Sequence, residues 1–83
     1  YVTIDIDGFD PSIAAGTGTP SHGGFLYYEI LEFLDGLTKR GDVIGVDLVE
    51  VAPDYDLSGS TTTLAAQLLL NFIGRIQHNR ATP

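Results

Sequence analysis

Cysteine, methionine and tryptophan are missing from all 83 residues. Without cysteine there is neither a disulfide framework nor a thiolate zinc site. Cations are scarce as well: four Lys and Arg stand against eleven Asp and Glu, for a formal net charge of −7. Phosphate backbones and anionic membrane surfaces are bound by clustered Lys and Arg, so this balance excludes nucleic acid and membrane as partners. No apolar run approaches the roughly 20 residues of a membrane span. No secretory leader pattern is visible, and the compartment expected by default is cytoplasmic. What the chain does have is apolar residues, 43% of the total, which is rich for a length that permits one small domain with a thin core.

The chain is organised around its first eleven residues. Val2, Ile4 and Ile6 alternate with Tyr1, Thr3 and Asp5, the pattern of a buried strand, and the run stops at Gly8, Asp10 and Pro11. In a strand, residues two apart share a face with their Cα atoms roughly 6.5 Å apart. The reading therefore puts Asp5 and Asp7 side by side at the strand end. Two neighbouring carboxylates repel, and a hard divalent cation with oxygen ligands would resolve the conflict. The plainer reading of the pair is two solvated turn-formers.

Residues 11–24 are rich in Gly, Pro, Ser and Thr and show no periodicity. So long a connection is usually functional or disordered. It is not a phosphate-binding P-loop, because no Gly-Lys-Ser/Thr follows. A helix is expected over 25–40, with Leu26, Ile30, Phe33, Leu34 and Leu37 as its apolar stripe and Gly41 as its cap. A second strand is expected over 42–51, apolar on both faces as in a sheet covered on two sides. Asp47 and Glu50 arrive late in it with opposite parity, so either the chain bends near Val49 to bring both to one site or they face different sides. A polar turn over 53–60 precedes a final helix, capped by Ser60 or Thr61, with the stripe Leu64, Leu68, Phe72 and Ile76.

The order β-loop-α-β-loop-α implies a parallel sheet with a right-handed crossover. Two strands covered on both faces need neighbours, so the expectation is the C-terminal part of a larger doubly wound domain. In such sheets ligands bind beyond the carboxyl ends of the strands. That edge is where Asp5, Asp7, Asp47 and Glu50 are expected to gather, which strengthens the metal reading.

Three stretches carry a resemblance to a known family: Thr3 to Pro11 (TIDIDGFDP), Gly16-Thr17-Gly18-Thr19-Pro20 with Gly23-Gly24, and Gly45 to Pro53 (GVDLVEVAP). In this order and spacing they resemble the ureohydrolases, the family of arginases, agmatinases and related guanidino-acid and guanidine hydrolases. The following Tyr55-Asp56-Leu57-Ser58-Gly59 is similar to the agmatinase branch. The resemblance implies a three-layer α/β/α fold, of which residues 1–83 are the C-terminal β-α-β-α portion of a single domain. It implies subunits joined as homo-trimers or homo-hexamers. It also implies two divalent metal ions, Mn2+ or in some members Ni2+, and a small cationic guanidino substrate. On that basis Asp5 matches the carboxylate that bridges the two metals and Asp7 the one that binds a single metal. Glu50 matches the acid that meets the guanidinium, and Thr19 a loop hydroxyl near the same group.

The family's remaining metal ligands, in Gly-Gly-Asp-His and Asp-Ala-His-x-Asp motifs, do not occur in these residues, and neither His22 nor His78 fits them. His22 is read as a solvated loop residue or the rim of a substrate pocket, and His78 as inert. A runner-up reading comes from the hydrophobic-Asp-x-Asp-Gly start, which is shared by magnesium-dependent phosphatases of the haloacid dehalogenase type. Against it, Phe9 stands where those usually carry Thr or Val. Lys39, the only lysine, lies at a helix end rather than near the aspartates. The non-enzyme reading is an α/β fragment whose acids hold a structural cation or nothing.

Overall fold

The structure, a computed structural model, describes residues 1–81. Strand β1 runs Val2–Asp5, helix α1 Tyr27–Arg40, strand β2 Val46–Val49 and helix α2 Ser60–Ala81. The two strands pair in parallel, with Val2 opposite Val46, Thr3 opposite Asp47, Ile4 opposite Leu48 and Asp5 opposite Val49. Parallel pairing forces a long return connection, and α1 lies in it. Helices α1 and α2 pack against each other.

The core is Ile4, Ile6, Phe9, Ala14, Ile30, Leu34, Ala65, Leu68 and Phe72, three of them from α2, with Val46 and Leu48 of β2 half-buried against it. Of the stripe expected on α1, Ile30 and Leu34 are buried, while Leu26 and Phe33 are 48% and 57% exposed. Tyr27 and Leu31 pack against the core instead, and the Tyr27 hydroxyl accepts the Asn71 amide of α2 at 2.7 Å. The face of α1 is thus turned toward α2 by about one residue. Glu29 accepts the Leu26 amide at 2.8 Å at its start, and the Gly41 amide closes its end on the Leu37 carbonyl at 3.1 Å. At the far end of the helix pair, Asp35 accepts Asn79 at 3.3 Å and pairs with Lys39 at 3.1 Å. These partners, Lys39 first and then Asn79 and Arg75, hold the Asp35 carboxyl below its ordinary range.

Both strands are shorter than their apolar runs. The first ends at Asp5, and Ile6–Gly8 form a 3-10 turn with Asp5 as its N-cap. The second keeps only four residues, leaving Ile44 79% exposed. Among the described residues, no helix is long and apolar enough to cross a membrane.

Candidate active site

The carboxyl edge of the sheet is shaped by two departures from extended backbone. The first is the 3-10 turn after Asp5. Its three residues per turn cancel the strand parity that would have placed Asp5 and Asp7 on one face. The pair is held by a different device: Asp5 Oδ1 accepts the Asp7 amide at 3.0 Å, so the two carboxylates flank a single turn. The second departure is Glu50, whose φ of 73° lies in the left-handed region that a β-carbon disfavours. The chain therefore bends next to Val49, as one of the two alternatives expected. The bend comes one residue after Val49, the register partner of Asp5, so Glu50 leaves the sheet beside Asp5.

Asp47 does not join this edge. It stands opposite Thr3, and its carboxylate accepts the Thr3 hydroxyl at 2.6 Å and the Tyr1 hydroxyl at 3.0 Å. The hydrogen bond and charge of Asp47 raise the Tyr1 phenol above its ordinary value. Of the four acids expected here, Asp5 and Asp7 flank the turn, Glu50 leaves the sheet one residue past Val49, and Asp47 is held elsewhere. Asp47 is diverted because its position along β2 is level with the middle of β1, not with its end.

Thr19 is brought to the edge directly. Its hydroxyl donates to Asp7 Oδ2 at 2.9 Å, which joins the 11–24 loop to the turn after β1. Asp10 shapes the base of this loop, accepting the Ser12 amide at 3.0 Å and the Gly23 amide at 3.1 Å. Ser12 foremost, with Gly23 and nearby His22, lowers the Asp10 carboxyl below its ordinary value. His22 itself is exposed on the loop. The loop closes where Phe25 donates to the Gly8 carbonyl and Asp10 to the Phe25 carbonyl, both at 2.9 Å. Gly24 is obligatory there, since a β-carbon would stand 2.4 Å from the Phe9 carbonyl carbon.

Sequence reasoning missed Asp56. Its carboxylate accepts the Thr61 and Thr62 amides, each at 2.8 Å, and the Thr62 hydroxyl at 2.6 Å, closing the start of α2. The Thr62 hydroxyl leads the contacts that bring Asp56 down to about 2, against partial burial. Thr61, expected as a cap, is instead buried and points its hydroxyl at the 11–24 loop, where it accepts the Gly16 amide at 3.0 Å. An Asp followed by a run of Thr is the only signal that could have found this clamp.

Whether these side chains suit a metal turns on their donors. Asp5 and Asp7 each spend one carboxylate oxygen on a neighbour, and carboxylate oxygen is the right donor for a hard divalent ion. Among the described residues, no three His, Cys, Asp or Glu side chains gather closely enough to hold an ion by themselves. The pair fits as part of a ligand set and not as a whole one.

The arginase family model matches residues 1–74. The chain belongs to the arginase family. The arginase-family segment is 48% identical over 73 residues to mitochondrial agmatinase of Gallus gallus, covering 88% of this chain and 21% of that enzyme. Guanidinobutyrase of Pseudomonas aeruginosa is 47% identical over 73 residues, covering 88% of this chain and 23% of that protein. Among solved structures, proclavaminate amidino hydrolase from Streptomyces clavuligerus superposes with a TM-score of 0.82 at 41% identity, over 98% of this chain and 27% of that one. Arginase from Bacillus caldovelox gives 0.78 at 35% identity, over 87% and 24%. The fold is arginase-like α/β, as the motifs implied. The segment spans about a quarter or less of each of these relatives.

Proposed function

We propose that residues 1–83 form the C-terminal part of a single arginase-type domain, and that the full-length protein hydrolyses a guanidino compound. The substrate would be agmatine, guanidinobutyrate, a related guanidino acid or guanidine. The products are urea with an amine, or with ammonia when the substrate is guanidine. The observation that carries this reading is the Thr19–Asp7 hydrogen bond beside Asp5, at the edge where Glu50 bends away from the sheet.

In this reading Asp5 and Asp7 would hold two divalent ions, Mn2+ or Ni2+, with Asp5 shared between them and ligands from elsewhere in the domain completing the set. When bound, such a pair acidifies water and supplies a nucleophile near neutral pH. The remaining work belongs to the side chains. Glu50 takes the guanidinium with two carboxylate oxygens, which fixes the plane of its central carbon for attack. Thr19, anchored through its proton on Asp7, offers its oxygen lone pairs to the guanidinium N–H groups. Breaking the C–N bond then releases the amine, which leaves with a proton. The acidic balance of the segment favours a cationic substrate. Assembly as trimers or hexamers belongs to the same proposal.

The phosphatase reading is disfavoured by Lys39, which pairs with Asp35 within α1 and so does not supply the cation that chemistry needs. Urea release by the full-length protein, assayed on the four substrate types with Mn2+ or Ni2+ supplied, is the test. Release from at least one, abolished by chelator, is expected. A metal-loaded protein that releases no urea from any of them, or that releases phosphate from a phosphate monoester instead, would overturn the proposal.

A further inference from the structure

Thr19 meets Asp7 only while the 11–24 loop keeps one course: Asp10 fixes its base, and its middle is fixed at one buried crossing. Gly16 donates its amide to Thr61 Oγ1 at 3.0 Å, and its carbonyl accepts the Ala52 amide at 2.8 Å. Thr61 is 1% exposed, and Gly16 is buried with it. No side chain fits at Gly16: a β-carbon would stand 2.7 Å from Asp56 Cβ and 2.9 Å from Thr61 Oγ1. Behind Thr61 the Asp56 carboxylate fixes the first turn of α2 by its contacts to Thr61 and Thr62. The crossing thus ties three separate stretches: the loop, the segment after β2, and the start of α2.

Its position along the chain gives it leverage. Ala52 lies two residues past Glu50, whose backbone is already strained, and Thr19 lies three residues past Gly16. Strained backbone persists only where the surroundings over-determine it. The backbone that carries the metal-ligating candidates Asp5 and Asp7 is held by β1 and by the turn that follows it, while the Asp7 carboxylate also takes the Thr19 hydroxyl.

We infer that Thr61 is a positioning residue: its hydroxyl pins Gly16, Gly16 pins Ala52, and the pair sets Thr19 and Glu50 relative to each other for guanidinium recognition. This rests on the guanidino-hydrolase reading. Thr61→Val keeps the shape of the side chain and removes the acceptor, which leaves the buried Gly16 amide without a partner. Recognition should suffer while metal binding does not.

The test uses the full-length protein with Thr61→Val, Thr61→Ala and Thr61→Ser. Metal stoichiometry, KM, kcat and amide hydrogen exchange of segments 14–19 and 50–53 are measured on the same preparations. For Val, KM should rise about 10- to 100-fold with kcat within about threefold of wild type and full metal content. Exchange should accelerate in those two segments and not in α1. Ser, which restores the acceptor, should return KM and exchange to near wild type. Ala provides the same comparison if Val does not fold. A purely structural role would lower stability and kcat without the KM change, and would overturn the inference. Unchanged KM and exchange in Val and Ala would overturn it too, as would metal loss. If the wild type hydrolyses no guanidino compound, the activity reading fails on its own. Exchange then decides the pinning alone: acceleration with Ser rescue shows that Thr61 holds the two segments, and unchanged exchange removes that too.

Discussion

Glu50 occupies a backbone conformation that glycine would adopt more easily, yet a carboxylate stands there. A strained acid at the sheet edge is explained if its side chain is needed at that spot. Glu50→Gln keeps the shape and removes the charge. Losing one partner of a desolvated charged pair costs about 2–5 kcal/mol, or roughly 30- to 5,000-fold in kcat/KM. Metal content should stay near wild type, and unchanged catalysis would take Glu50 out of the site. In the proposed two-metal reading, Asp5→Asn should instead empty both metal positions and Asp7→Asn mainly one, because a carboxylate shared by two cations would offset their repulsion. Equal and full occupancy in both variants would remove the pair from the metal site. Asp56 yields a pH prediction. Its carboxyl sits at about 2 when folded against an ordinary 3.8, so the unfolded chain binds its proton first as pH falls. The clamp on α2 therefore contributes fully above about pH 4 and is lost as pH drops toward 2. Acid titration of amide protection at Thr61 and Thr62 should show this loss, and Asp56→Asn should flatten it. Sequence spacing anticipated the bend at Glu50, while the shared strand face expected for Asp5 and Asp7 is replaced by a 3-10 turn that begins after Asp5. Spacing could not reach the Asp56 clamp, because a 3-10 turn at Leu57–Gly59 carries Asp56 back to the helix start and leaves no periodic trace.

At the level of elements, the order and type of each were legible and the ends were not. Hydrophobic alternation marks β1, but it runs on through Ile6, which is buried in a 3-10 turn rather than a strand. Burial is what periodicity reports, and it cannot tell which backbone delivers it. The same holds for α1, where Ile30 and Leu34 were identified correctly and Phe33 was not. A stripe of five apolar residues is wider than the strip that the described neighbours cover. The Phe9–Phe25 bridge that closes the loop was invisible, since it rests on backbone approach at Gly24. Gly24→Ala would press a β-carbon against backbone atoms of Gly8, Phe9 and Asp10, which cannot move aside as a flexible side chain would. A loss of about 1–3 kcal/mol is expected, read as a lower denaturation midpoint of the full-length protein. A midpoint equal to wild type would mean that the loop mouth is looser than this close approach implies.

For the whole molecule, the exposed apolar surface is the telling quantity. Tyr28 is 80% exposed, Leu57 88% and Leu70 72%. A groove of ≈ 250 Å³ runs along β1 and α1, lined by Val2, Ile4, Phe25 and Phe33 among others. Two paired strands and two helices bury too little to hold such a surface in water. The 83 residues alone should melt without a sharp transition and release no urea. A cooperative thermal transition with urea release from the purified segment would refute this. The strand register carries a further consequence, for the order of events during synthesis. Each residue of β1 finds its partner 44 positions later, as Thr3 does in Asp47. At ribosomal rates of roughly 5–20 residues per second, β1 waits about 2–9 s before β2 has been made. Through that interval its apolar edge is bare, whereas α1 can form from local contacts as it emerges. Slowing translation between the two strands should therefore increase misassociation of the nascent chain more than slowing it within α2.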